Sequence, residues 1–150
     1  MARLPAGVTI LCARDATLSD WGITAAAVLP VSQDPPLVAV ALRADAGSTP
    51  HFVQAPRFTL SVLAAEHEEL AERFASGRPD RFILGGFERA RSGLAVVARA
   101  AAVLECEHRE ALARGDHVLL LGEVVRAQAA AGDRDPLVYV GGEYRRTSPT

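Results

Sequence analysis

Short β-rich runs, each cut off by proline, glycine or a turn-forming pair, dominate this sequence and leave no regular alternation of strand and helix. Gly7-Val8-Thr9-Ile10-Leu11-Cys12-Ala13 is the first, closed by Arg14-Asp15. Trp21 to Val28 is the second, tipped toward strand by Gly22 and the β-branched Ile23 and Thr24. Pro30 and Ser32-Gln33-Asp34-Pro35-Pro36 are expected to break it. Leu37-Val38-Ala39-Val40-Ala41-Leu42 then reads as a strand buried on both faces. Phe58-Thr59-Leu60-Ser61-Val62-Leu63 alternates, as a half-buried strand does. After a loop-like stretch from Arg78 to Ser92, Leu94 to Glu107 and Asp116 to Ala127 are two more β-rich runs. The polar residues Arg109 to Gly115 are expected to connect them as a hairpin. Leu137-Val138-Tyr139-Val140 is the last strand, ahead of Gly141-Gly142 and a polar tail.

Two helices complete the pattern. Ser48-Thr49-Pro50 is a helix-start signal, and Pro56 keeps that helix short. Ala65 to Ser76 is amphipathic, with His67, Leu70 and Phe74 on one face, acids near its start, Arg73 near its end and Gly77 after it. About seven short strands with two helices and no βαβ unit point to a closed or nearly closed antiparallel barrel with helices at its edge.

At 150 residues the chain is expected to be one domain, 1–150. Sixteen basic against eighteen acidic side chains, a net charge of −2, remove the driving force that nucleic-acid binders carry. Cys12 and Cys106 form neither a CxxC pair nor a zinc pattern and read as buried thiols of a cytoplasmic protein. No apolar run approaches the roughly 18 residues of a membrane span. Pro5, Gly7, Arg14 and Asp15 spoil a secretion signal, so a soluble, cytoplasmic protein is expected.

Most familiar sites fail on spacing. His67-Glu68-Glu69-Leu70 lacks the second histidine of a zinc helix, and the four histidines are too scattered for a metal cluster. Ser48 and Ser92 lack the Gly-x-Ser-x-Gly frame of an acyl-transfer nucleophile. What remains is small and hydroxylated. Thr24-Ala25-Ala26-Ala27 would let a flat ring lie against backbone, and Ser48-Thr49 at a helix start would favour an anionic tail. Together they suit a cofactor made of a ring and a phosphate. A tightly packed strand and an ordinary helix cap are the alternatives these residues leave open.

In order and spacing, a further set of segments resembles the flavin reductase-like family, the FMN-binding split barrels that include reductase components of two-component flavin monooxygenases. These are Leu4-Pro5-Ala6-Gly7-Val8-Thr9-Ile10-Leu11, Gly22-Ile23-Thr24-Ala25 and Pro30-Val31-Ser32-Gln33-Asp34-Pro35-Pro36-Leu37-Val38. Ser48-Thr49, Phe58 to Leu63, Leu70 to Ala75 with Asp80-Arg81-Phe82, Gly115 to Val124, and Pro136 to Arg145 continue the match.

The resemblance implies a mainly β fold with short flanking helices, a six-stranded antiparallel Greek-key split barrel that works as a homodimer. It implies FMN or FAD along Thr24, Ala25, Ala26, Ala27, Val28 and Leu29, with the phosphate at Ser48 and Thr49. Ser61, Arg81 and Phe82 would also reach the flavin. NADH or NADPH would lie against His117, Gly142, Glu143 and Tyr144, with His117 as the catalytic candidate and no metal. The implied activity is NAD(P)H-dependent flavin reduction, by hydride transfer from nicotinamide to flavin N5, for a partner monooxygenase. The alternative is a flavin-binding electron-transfer or storage protein without a nicotinamide site. Ala26, Val28, Leu29 and Pro30 stand where many members have Ser, Phe and Thr or Ser, leaving backbone to carry more of the affinity.

Overall fold

Among residues 2–147, which the computed structural model describes, the chain forms twelve strands, two α-helices and one 3-10 turn. The first half holds β1 (Ala6–Gly7), β2 (Thr9–Arg14), β3 (Asp20–Ala25), β4 (Val28–Gln33), β5 (Pro36–Arg43), α1 (Thr49–Gln54) and β6 (Arg57–Val62). A 3-10 turn (Ala65–His67) leads into α2 (Glu68–Ala75), followed by β7 (Phe87–Arg89), β8 (Ala95–Val97), β9 (Ala102–Arg114), β10 (His117–Ala129), β11 (Leu137–Val140) and β12 (Glu143–Arg146).

Seven strands make the main antiparallel sheet, in the order β3-β2-β6-β9-β10-β5-β4. The edge strands β3 and β4 are consecutive in sequence and joined only by Ala26 and Ala27. In a flat sheet these edges would lie about 29 Å apart, six strand spacings. Three residue steps span at most about 11 Å. The sheet must therefore curl until its edges meet at this corner, where the Ala41 N–H donates to the Ala27 carbonyl at 2.9 Å.

Strand alternation sorts side chains to the two sides of the curled sheet. Leu11, Val40, Phe58, Leu60 and Leu120 fill the inside, with Phe52 of α1 plugging one end. Ile10, Cys12, Leu70, Phe74, Val97 and Leu137 form a second core outside, where α2, β8 and β11 cover the sheet. β2 consequently carries five buried residues in succession. Gly122 makes the inner core possible: a Cβ there would lie 2.7 Å from Phe58 Cε1.

Several elements depart from the sequence expectation for identifiable reasons. β4 runs through Pro30 because it is an edge strand and bulges between Pro30 and Ser32, where a missing N–H is tolerated. With β3, β4 and β5 all in the main sheet, its strands number seven rather than six. β5 alternates buried and half-buried residues instead of being buried on both faces, leaving Leu37, Ala39 and Ala41 half-covered. The polar stretch from Arg109 belongs to β9, and only Gly115-Asp116 turn, with Gly115 at φ 59°. β7 lies in the expected loop, and β12 in the expected tail after a Gly141-Gly142 turn with both φ positive. Residues 148–150 of that tail lie outside the described residues.

Both cysteines are free and buried, as their apolar contexts imply, and burial pushes the Cys106 thiol up to about 12. No helix among the described residues is long and apolar enough to cross a membrane. His67 ties the 3-10 turn to the chain beyond β8. Its Nδ1 accepts the Ala64 N–H at 3.0 Å and its Nε2 lies 3.1 Å from the Ala98 carbonyl, so the neutral Nε2–H tautomer satisfies both. Burial holds this ring below its ordinary value of 6.5.

Gly122→Ala is expected to lower the unfolding free energy by about 3 kcal/mol through overpacking. Gly47→Ala, where a Cβ meets nothing within 4 Å, should change it by less than about 0.5 kcal/mol. Urea titrations of both variants decide this. For His67, the unfolded chain takes up the proton first, so stability should fall as pH drops below about 6.5. His67→Asn, whose Oδ1 can accept the same N–H, should flatten that slope in denaturation curves between pH 5 and pH 8.

Candidate functional site

The corner that closes the sheet also opens a groove of about 500 Å³. Its walls are Leu4 to Gly7, Ala26 to Leu29, Ala39, Ala41 and Leu119. No ionisable side chain lines it, so its polar atoms are those of the main chain. Gly7, Ala26, Ala27, Ala39 and Ala41 are small enough to let a planar ring approach that backbone closely. A group held here would be recognised by amides and shape, and any reaction it undergoes gets no acid or base from these walls. Ala39 and Ala41, with the Leu4–Gly7 segment and Leu119, escaped sequence reasoning.

Ala26 to Leu29 are thus the expected residues that the fold gathers into the groove. Thr24 and Ala25 stand just inside the corner. The Thr24 hydroxyl donates to the Ala71 carbonyl of α2 at 2.7 Å, and Ala25 packs in the inner core. Ser61 lies away from the groove's lining. It is fully buried in β6, and its hydroxyl accepts the Val97 N–H at 3.0 Å, tying β8 to the sheet. Phe82 is likewise a packing residue, edge-on to Phe74 with centroids 5.0 Å apart. It closes over Gly22, where a Cβ would meet both rings within 2.8 Å. Arg81 lies beside it, half-buried, with Nη1 3.4 Å from the Arg78 carbonyl.

A second gathering point is Arg43, at the end of β5. Its carbonyl accepts the Thr49 hydroxyl at 2.7 Å, and His117 is its direct strand partner. The Ala44 N–H donates to the Asp116 carbonyl at 2.9 Å. Ser48, Thr49 and His117 are therefore neighbours at one end of the sheet. His117 shares a face with Leu119 and Ala41, one step beyond the groove. Its Nδ1 lies 2.7 Å from Asp116 Oδ1, and this imidazole holds the Asp116 carboxyl below the usual carboxylate range. The start of α1 offers little to an anion. The Thr49 and His51 N–H groups bond the Ala46 and Ser48 carbonyls, and Pro50 has none. Thr49 itself is buried, which leaves the half-buried Ser48 hydroxyl, making no cap bond, as the polar group of this turn.

Gly142, Glu143 and Tyr144 lie on the β11–β12 hairpin, where with Tyr139, Glu68 and Glu72 they line a groove of about 610 Å³. The two tyrosine rings meet at 60° with centroids 5.2 Å apart. Burial first, then Tyr139 and the α2 glutamates, push the Tyr144 phenol up. The two grooves adjoin across β1, because Ala6 of the first is the strand partner of Tyr139 of the second. Among the described residues, no cluster of His, Cys, Asp and Glu could hold a metal.

The model of the flavin reductase like domain matches residues 1–148. An actinorhodin polyketide dimerase of Streptomyces coelicolor is 44% identical, over 83% of this chain and 70% of its own length. The reductase component of 4-hydroxyphenylacetate 3-monooxygenase from Thermus thermophilus is 36% identical, over 97% of this chain and 91% of its own. Among solved structures, an NADH:FAD oxidoreductase of Streptomyces globisporus in complex with NAD and FAD fragments superposes with a TM-score of 0.91. It is 32% identical, and the match covers 99% of this chain and 88% of that one.

The buried Ser61 hydroxyl can be removed without touching the groove. Ser61→Ala should cost about 1–2 kcal/mol of stability, because it strands the buried Val97 N–H. Affinity for FMN should stay within about twofold if the hydroxyl contributes to packing alone. A tenfold loss of affinity in a folded variant would restore it to the site.

Proposed function

The chain belongs to the flavin reductase-like family, and on that footing we propose that it is an NADH-dependent flavin reductase whose Ala26–Leu29 groove holds the isoalloxazine ring of FMN or FAD. The observation that carries the reading is a groove of small side chains with no ionisable wall. Bound flavin would supply the hydride acceptor. Hydride transfer between stacked rings asks of a protein orientation and the exclusion of water, not proton transfer. Leu4, Leu29 and Leu119 offer the apolar cover, and the backbone of Ala26 to Leu29 offers the polar contacts. The Ser48 hydroxyl, with His117 nearby, is the group available to a phosphate.

The adjoining groove of Tyr139, Gly142, Glu143 and Tyr144 suits the nicotinamide donor. Glu68, Glu72 and Glu143 beside it would repel a 2′-phosphate, which favours NADH over NADPH. The Thermus thermophilus relative supports a monooxygenase as the consumer of reduced flavin.

We further assign the working form as a homodimer of split barrels, one such domain spanning 1–150. The face of β4, β5 and β10 carries Leu29, Leu37, Ala39, Ala41, Leu119 and Leu121 in its middle, with His117 at one end and Glu123 at the other. Leu29 is 62% exposed and adjacent Val31 48%, more apolar surface than a lone subunit needs to show. A second copy on this face would also wall the groove. Two unpaired thiols suit the cytoplasm.

Anaerobic mixing with FMN and NADH is expected to bleach the flavin band, with kcat/KM at least about tenfold higher for NADH than NADPH. Bleaching by dithionite but by neither nicotinamide would leave a flavin carrier instead. No flavin uptake at micromolar concentrations in equilibrium dialysis would overturn the reading. Sedimentation should give a dimer, and Leu29→Asp should shift it to monomers with weakened flavin affinity.

A further inference from the structure

A third groove lies away from both of these and shares no lining residue with either. It encloses about 440 Å³ between the β7–β8 hairpin, the start of β9, the end of β10 and the segment that follows. Val96, Val97, Ala100, Val103 and Ala130 supply apolar wall. Arg89, Arg91, Arg99, Arg126 and Arg134 also line it, against only two carboxylates, Glu88 and Glu105. Five of the chain's sixteen basic side chains therefore converge on one apolar hollow.

Most of these guanidinium groups have donors to spare. Arg89 is spent, bound at 2.7 and 2.8 Å to the two carboxylate oxygens of Asp20. Arg91, exposed, makes no hydrogen bond or ion pair with any described residue. Arg126 Nε stands 3.5 Å from Glu105 Oε1, while Glu105 Oε2 accepts the Ser92 N–H at 3.0 Å. Arg99 and Arg134 draw on one oxygen, Glu66 Oε1, at 3.5 and 2.9 Å. Arg134 Nε is buried with no partner at all.

We propose that this groove is a second ligand site, for a small planar organic anion: an aromatic ring bearing a carboxylate, sulfonate or phosphate. The apolar wall takes the ring, the guanidinium planes stack on it, and their N–H forks take the acidic group. The volume is in the range of small-molecule sites. Because the groove is separate from the flavin groove, its ligand and flavin bind together rather than compete. Its occupant is an effector or an aromatic acid held beside the reductase, not the hydride donor or acceptor.

The probe is 8-anilinonaphthalene-1-sulfonate, titrated calorimetrically into the full chain with and without saturating FMN and NAD. Saturable binding that persists with both nucleotides present is expected, weakened at least about tenfold in Arg91→Ala/Arg126→Ala. Arg91→Ala alone, which removes no internal bond, should already weaken it measurably in a protein of unchanged thermal stability. Benzoate should displace the probe and benzyl alcohol should not. Displacement by FMN or NAD, binding equal in wild type and both variants, equal competition by benzyl alcohol, or no saturable heat would each overturn the proposal.

Discussion

Ala26 and Ala27 bridge two strands that the hydrogen-bonding order of the main sheet sets at its opposite edges. Two residues cannot cross the width of a flat seven-stranded sheet, so the curl of the whole structure is imposed at this point. The consequences run inward and outward from it. Inward, curling brings Leu11, Val40, Phe58 and Leu120 together, at a spacing so tight that position 122 has no room for a methyl group. Outward, the same corner leaves a groove walled by backbone and small side chains. Core and groove are two results of one closure.

Short hydroxyl side chains hold the layers around this barrel. Thr9 bonds the Ala25 carbonyl, Thr24 the Ala71 carbonyl, Thr49 the Arg43 carbonyl and Thr59 the Ala95 carbonyl, all at 2.7 to 2.8 Å. Ser61 receives the Val97 N–H. Each satisfies a backbone group at a strand end or where elements meet, and an unsatisfied group there would cost more than the bond is worth. Residues that look like a ligand's hydrogen-bonding partners in sequence are in this way consumed by the fold, and the groove is left to main-chain recognition.

Charge is distributed with the same economy. The corner groove has no ionisable wall, the adjoining groove carries glutamates and tyrosines, and the arginines gather on a third. A net charge of −2 conceals this segregation completely. A neutral slot suits a ring that must accept a hydride from a stacked donor, because fixed charges beside it would shift its affinity for the electrons.

Local pattern in the sequence was enough for the antiparallel β class, both helices, the buried cysteines and, through ordered segments such as Gly22-Ile23-Thr24-Ala25, the family. Those features depend on neighbours within a few residues, where periodicity and turn chemistry act. Strand β4 through Pro30, the burial of Ser61, the packing of Phe82 against Phe74, and the alanine wall at Ala39 and Ala41 were not legible. Each depends on which strand became an edge or which element came to lie on top. Edge position excuses a proline, an overlying β8 engages the Ser61 hydroxyl, and closure turns small residues far apart in sequence into one wall. Pairing across long separations decides such things, and no local signal encodes it.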